Sequence, residues 1–200
     1  MSNQFLEIIE KRRSIYAIGK HVKQTPEQLT EFIQNTIKLS PSAFNSQSSR
    51  AVILFNDQHQ KFWNIVKDAL KAFAKDEEAA AKTSAKIDSF AAGFGTVLFF
   101  EDQDVVKSMQ QQFPLYADNF PVWSEHSTGI AQFATWTALS TIGIGASLQH
   151  YNPLVDEKVQ ATWNVPANWK LRAQLVFGSI EAPAGEKSFM DDAERFKVFQ

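Results

Sequence analysis

Apolar and polar positions follow two distinct rhythms along this chain, and each rhythm predicts a different kind of element. Phe5, Leu6, Ile8 and Ile9 mark one face of an amphipathic helix over Phe5 to Arg13, with charges opposite. Thr25-Pro26-Glu27-Gln28 supplies an N-cap, a proline at the first helical position and early acid. A second helix therefore starts there, carries Leu29, Phe32, Ile33, Ile37 and Leu39, and stops before Ser40-Pro41. A polar loop, Ser42 to Ser49, follows. Ala51 to Phe55 is an unbroken apolar run and reads as a buried strand. The spacing then predicts helix from Asp57 to about Ala81, with Phe62, Ile65, Val66, Ala69, Leu70 and Phe73 turned inward. The alanine-rich, charged stretch Lys75 to Lys86 reads as a solvated helix or a helix–helix connection.

Thr96 to Phe100 is a second buried strand, ended by Glu101-Asp102. Val105 to Phe113 is a short helix, and Phe113 to Pro121 is irregular at its two prolines and helical or turn-like between them. Ser124 to about Ile142 is a long, largely apolar helix that stops at Gly143-Ile144-Gly145. Pro153 to Trp163 reads as a further short helix, Leu171 to Ile180 as the third strand, and Phe196 to Phe199 as a candidate fourth. Helices outnumber strands and interleave with them irregularly, with no repeat and no linker. That pattern describes one layered α+β or α/β domain with a modest sheet, spanning residues 1–200.

Composition narrows the chemistry. A chain that is 44% hydrophobic and 21% charged is globular rather than disordered. Its formal net charge of -2 and the lack of a basic cluster beyond Lys11-Arg12-Arg13 argue against a nucleic-acid partner. There is no cysteine, which excludes disulfide scaffolds, thiolate metal sites and cysteine nucleophiles together. No apolar run is long enough to span a membrane, and no signal-peptide layout opens the chain, so a cytoplasmic location is expected. The 17 Phe, 5 Trp and 3 Tyr are many for this length. They fit either a large core or interface, or a pocket that sandwiches a flat ring system.

The familiar catalytic signatures are missing. There is no H-E-x-x-H, Walker A loop or G-x-S-x-G elbow. Gly93-Phe94-Gly95 and Gly143-Ile144-Gly145 lack the third glycine of a dinucleotide fingerprint, and His21, His59, His126 and His150 lack metal-ligand spacing. Four separated segments remain. Arg12-Arg13-Ser14 places two guanidiniums beside a hydroxyl, suited to a phosphate or simply to a helix end. Pro41 to Arg50 is dense in amides and hydroxyls, able to match the edge of a heterocycle or to form an ordinary polar turn. Ser147 to Pro153 follows the glycine-terminated helix, where backbone amides can approach a ligand or the loop can merely close the helix. Lys187 through Arg195 carries cations that either reach the same phosphate or face solvent.

Taken together these segments resemble the nitroreductase family of flavoproteins, over nearly the whole chain. The features that carry the likeness are Arg12-Arg13-Ser14 after the opening helix, Pro41-Ser42-x-x-Asn45-x-Gln47, Tyr116 to Ser124, Leu148 to Pro153, and Arg195-Phe196-Lys197-Val198-Phe199. The short branch of fungal and bacterial nitroreductase-like proteins is particularly similar, including copper-induced nitroreductases of lactic acid bacteria. The resemblance implies a small mixed sheet flanked by helices in an intertwined homodimer, with FMN bound at each of two interfacial sites. It implies that Arg12, Arg13, Ser14, Lys187 and Arg195 hold the phosphate and ribityl chain. Tyr16 falls in the same motif, where many members carry Arg. Ser42, Asn45 and Gln47 would come from the partner subunit to the flavin ring, with Leu148, Gln149 and His150 lying along it. A second departure is Ser48-Ser49, where many members carry Pro-Trp.

The chemistry so implied is ping-pong hydride transfer through the flavin, from NADH or NADPH to nitroaromatics or quinones. It needs no catalytic side-chain nucleophile and no metal. Phe113, Tyr116, Phe120 and Trp123, clustered between and beside the prolines, are expected either to gate the substrate over the flavin or to pack the core. The alternative function is an FMN-binding regulatory or stress-response protein with little turnover.

Overall fold

A computed structural model describes residues 3–200, and its element order is that of an α+β domain. Helices α1 (Gln4–Lys11) and α2 (Pro26–Leu39) flank the two-residue strand β1 (Ile18–Gly19). Strand β2 (Ser49–Phe55) leads into helices α3 (Asn56–Lys71) and α4 (Glu77–Ala91), and strand β3 (Gly95–Asp102) into α5 (Gln103–Gln112) and α6 (Phe120–Thr141). Strand β4 (Gly145–Gln149), helix α7 (Asp156–Trp163), strand β5 (Trp169–Ile180) and the single turn α8 (Asp192–Arg195) complete it. The five strands form one sheet in the order β1-β5-β3-β2, with β4 also paired to β5, and every ladder is antiparallel.

Alternation along β3 divides the interior into two cores. Val97 and Phe99 face α2 and α6, meeting Leu29, Ile33, Ala131 and Leu139; Leu98 and Phe100 face Phe62, Trp63, Val66, Ile87 and Phe90 of α3 and α4. The sheet is therefore the middle of three layers, and β3 is buried throughout. Thr25 and Gln28 close a reciprocal capping box at the start of α2, as the local residues require. At the other end of the long helix α6, Gly143 takes φ 77° and lets the chain turn into β4, a conformation that suits glycine.

Several expectations need correction. The apolar run Ala51–Phe55 is an edge strand, half-buried except for Leu54, because β2 has only β3 beside it. The helix expected from Asp57 to Ala81 breaks after Lys71 and restarts at Glu77, where the Asp76 carboxylate caps Ala79 N–H; Phe73 lies in the break and is exposed. Glu101 and Asp102 do not end the second strand but belong to it, buried. The segment after Gly145 is strand, not a helix-ending loop, because β5 offers it an edge. Phe196–Phe199 forms no strand; it lies exposed beyond α8 with no ladder partner among the described residues.

Candidate functional site

Helix α1 ends at Lys11 and the chain extends, so that Ser14 bridges to Ala146 of β4 and Ile15 N–H donates to the Ala146 carbonyl at 2.9 Å. This pairing places Arg12-Arg13-Ser14 against the start of β4. Leu148 lies only two residues further along that strand, roughly 6–7 Å away. Arg12, Arg13, Ser14, Tyr16 and Lys187 line a pocket of about 490 Å³ together with Pro183 to Glu186. Arg13 Nη2 donates to the Gly185 carbonyl at 2.7 Å, which ties the carboxyl-terminal segment to the amino-terminal one.

The electrostatics of this pocket ask for an anion. Arg12 lies over the Trp136 indole, 4.4 Å from guanidinium carbon to ring centroid, and near Phe133 at 5.9 Å. Its Nε is buried without a hydrogen-bond partner. Burial first, and the neighbouring Arg13 second, lower its pKa from the ordinary arginine range. Among the described residues neither arginine is in an ion pair, so two adjacent guanidiniums and the Lys187 side chain share one cavity with a single carboxylate, Glu186. A bound phosphate would relieve that repulsion and accept the unused donors.

The loop after α2 forms a second centre. Its turn Ala43–Asn45 holds Phe44 at φ 55° and Asn45 at φ 50°, with Gln47 at φ 49° just beyond. Ser42 Oγ accepts from Gln47 N–H at 2.9 Å, and Ala43 N–H donates to Ser127 Oγ of α6 at 3.3 Å. Left-handed backbone at Phe44 turns its ring outward into a cluster. The Phe44 centroid lies 4.8 Å from Phe113, 6.0 Å from Tyr116 and 5.4 Å from Phe120. Trp123 completes the cluster, 5.3 Å from Phe120. Phe120 is buried and anchors the group, while Tyr116 is exposed and Phe113 and Trp123 are half-buried. Beside it lies a cleft of about 450 Å³ lined by Ser42, Phe44, Trp123, His126 and Ile130, and a smaller one of about 170 Å³ lined by Ser42, Gln47, Ser49 and Arg50.

Within one chain, then, Arg12, Arg13, Ser14, Tyr16 and Lys187 come together, with Ser14 bridged to Ala146 of β4, while Ser42 and Gln47 line clefts elsewhere and Asn45 lies in the turn between them. Leu148 and Gln149 are half-buried at the end of β4 and His150 is exposed. The turn after them is fixed by buried Gln174, which accepts from Tyr151 N–H at 2.7 Å and donates to Asn152 Oδ1 at 3.2 Å. Arg195 does not reach the cationic pocket; it stacks on its neighbour Phe196 at 5.4 Å in the exposed tail. Sequence reasoning missed the parts of Trp136 and of Phe44 as hub of the ring cluster. Phe44 stood inside the Ser42–Gln47 motif, but no sequence signal marks Trp136.

With this arrangement in view, comparison with known proteins is decisive: the profile of the nitroreductase family matches residues 9–179. The chain belongs to the nitroreductase family. It is 56% identical to the nitroreductase CinD from Lactococcus lactis, with a TM-score of 0.91 over 98% of this chain and 100% of that one. CinD has been solved in complex with nicotinic acid, with chloramphenicol and with 4-nitrophenol. HBN1 of Saccharomyces cerevisiae is 38% identical over 195 residues, 96% of each chain. A protein of Desulfovibrio desulfuricans solved in complex with FMN shares the fold, at 18% identity and a TM-score of 0.69 over the full length of both. As a nitroreductase, the protein is an oxidoreductase. Among the described residues no helix is long and apolar enough to cross a membrane, and no group of three or more acidic or histidine side chains could hold a metal.

Proposed function

We propose that this nitroreductase is an FMN-dependent enzyme of the cytoplasm that works as a homodimer, oxidises NADH or NADPH and reduces nitroaromatics or quinones. The observation that carries the reading is the cationic pocket of Arg12, Arg13, Ser14 and Lys187, whose repulsion and unused donors fit a phosphomonoester. When bound, FMN supplies hydride transfer between the nicotinamide and the acceptor. The chain's own residues bind and orient. Arg12 and Arg13 neutralise the phosphate, Ser14 donates a hydroxyl, and Leu148 to His150 run alongside the ring from the adjoining strand.

Ser42 and Gln47 line a separate cleft of the same chain and Asn45 lies in the turn between them, so we assign the three to the ring edge of a site shared with a second copy. The aromatic cluster around Phe44 then supplies an apolar wall for a flat acceptor and excludes water from it. The complexes of CinD with aromatic ligands support that assignment by analogy. Arg195, placed away from the pocket within its own chain, is assigned the phosphate only if the exposed tail reaches a neighbouring subunit.

The test is anaerobic reduction of the FMN-loaded protein by each nicotinamide, followed by a panel of oxidants. Bleaching of the flavin bands and reoxidation by nitroaromatics or quinones are expected. Protein that takes up no FMN ends the reading, and bound FMN that stays oxidised moves it to a flavin-binding regulatory protein.

A further inference from the structure

The Ser42–Ser49 loop is held in a conformation that its residues do not favour. Phe44, Asn45 and Gln47 all adopt positive φ; asparagine tolerates it, but at Phe44 and Gln47 such a backbone persists only when surroundings impose it. The restraint beside Ser48-Ser49 comes from a side chain. Arg50 Nη1 donates to the Gln47 carbonyl at 2.6 Å and to the Ser49 carbonyl at 3.1 Å. Its Nη2 pairs with Asp102 Oδ2 at 2.9 Å.

Asp102 is itself immobilised. Its other oxygen accepts from Asn168 Nδ2 at 2.7 Å and from the backbone N–H groups of Asp104 at 3.1 Å and Val105 at 3.4 Å, at the start of α5. Its own N–H donates to the Ser48 carbonyl at 3.0 Å. The guanidinium also lies over Trp169, at 5.7 Å. A continuous chain of bonds thus runs from the α5 terminus through Asp102 and Arg50 to the Gln47 carbonyl. Only a planar fork can serve Asp102 and the two loop carbonyls at once.

We propose that Arg50, locked by Asp102, is a positioning residue that sets the conformation of the Ser42–Ser49 loop and thereby FMN affinity. The flavin half of this claim rests on the assignment of Gln47 to the flavin ring. Arg50 acts through the loop, so its removal loosens residues 42–49 before it alters anything else in the site.

Wild type, Arg50→Ala, Arg50→Lys, Asp102→Asn and the Arg50→Ala/Asp102→Asn double variant are compared by hydrogen exchange of the peptide covering residues 41–50. FMN titration and the unfolding midpoint are recorded for each. Loss of charge-assisted bonds predicts loop exchange faster by about tenfold or more in Arg50→Ala and FMN affinity lower by roughly 10–100-fold. Arg50→Lys falls between, and the double variant is no worse than Arg50→Ala because one interaction is removed twice. Unchanged loop exchange in a folded Arg50→Ala refutes the brace. Faster exchange with wild-type FMN affinity refutes its role toward the flavin. If the wild type itself binds no FMN, the proposed function fails separately, and loop exchange still decides the brace.

Discussion

Phe44 lies nearly parallel to Trp123, with ring centroids 5.9 Å apart and planes inclined by 19°. The two rings come from different elements, a left-handed turn and the first turns of α6, and they meet only because Phe44 has φ 55°. Two opposing terms act at this residue: its backbone favours glycine, while its ring favours retention. Phe44→Gly should therefore be more stable than Phe44→Ala by about 1 kcal/mol, since only alanine keeps a Cβ at positive φ. Both variants should raise KM for a nitroaromatic acceptor by up to about tenfold. Steady-state kinetics with both substrates varied, beside chemical denaturation, measures the two effects. An unaltered acceptor KM in both variants would remove the ring cluster from the substrate site.

The parts of the fold legible in the sequence are those decided locally. The start of α2 was legible because Thr25, Pro26 and Gln28 form a cap from consecutive residues. Strand β5 was legible because its apolar run is long enough to need no partner for recognition. By contrast β4, Gly145-Ala-Ser-Leu-Gln, has little apolar signal and exists through its pairing with β5. Glu101 and Asp102 looked like a strand terminus because charge at a strand end is the usual reason for acids there. They remain in β3 because Ser49 and Arg50, about 50 positions earlier, give their carboxylates partners. The break between α3 and α4 was marked by Asp76, whose capping role was available from the sequence but outweighed by helical spacing on both sides. In the site, Arg12-Arg13-Ser14 and Ser42-x-x-Asn45-x-Gln47 were visible as motifs. Their separation within one chain depends on the tertiary fold and was not.

His59 should make stability fall in mild acid. It is buried between α3 and the sheet, with Nδ1 2.9 Å from Thr96 Oγ1 and Nε2 3.2 Å from the Ala91 carbonyl. Trp63 Nε1 donates to the same Thr96 hydroxyl at 3.0 Å, so that hydroxyl donates to Nδ1, and Nε2 carries the proton toward Ala91. Burial holds the ring neutral and lowers its pKa from 6.5 to about 4. Between those values the unfolded chain binds a proton that the folded one refuses, so stability decreases as pH falls from about 6.5 and the slope vanishes below about 4. The full loss is roughly 3 kcal/mol. Urea denaturation across that range checks it, with His59→Gln as the variant whose profile should be flatter. Equal slopes for the two proteins would show that another group is responsible.

Glu101 contributes with the opposite sign. Its carboxylate has 0% exposure; one oxygen accepts from Ser49 Oγ at 2.8 Å and the other has no hydrogen-bond partner. Burial, opposed by the adjacent serine hydroxyls, raises its pKa above the usual 4.5. A folded pKa above the unfolded one means that folding is favoured in acid, and that a penalty grows as pH rises past about 4.5. Glu101→Gln keeps the shape and an acceptor for Ser49, and presents N–H to a neighbourhood that includes the unpartnered Ser48 hydroxyl. We expect it to be more stable than wild type at pH 7 by roughly 1 kcal/mol, with the difference closing as Glu101 protonates in acid. Denaturation at neutral and acidic pH tests both statements, and a variant less stable than wild type at neutral pH would contradict them.

The apolar face of α1 lies open in the single chain. Its pattern was drawn for burial, yet Phe5 and Leu6 are 61% and 60% exposed in the single chain. Leu39, Ile130 and Phe133 add further exposed apolar surface on α2 and α6, more than an isolated domain ordinarily leaves in water. The same chain also divides its cationic pocket from its Ser42–Gln47 cleft. The proposed homodimer would answer both observations, a second copy covering the apolar face and bringing the two centres into one site. Leu6→Glu, on α1 and outside the residues lining either centre, places a charge in that contact and should weaken self-association at least tenfold, in line with the loss of one well-buried interface residue. Sedimentation velocity over a concentration series reads the association, and FMN titration at the same concentrations reads the site. FMN uptake should decline in step with the fraction of associated protein. A Leu6→Glu protein that is monomeric yet binds FMN as tightly as wild type would separate the two observations and assign each site to a single chain.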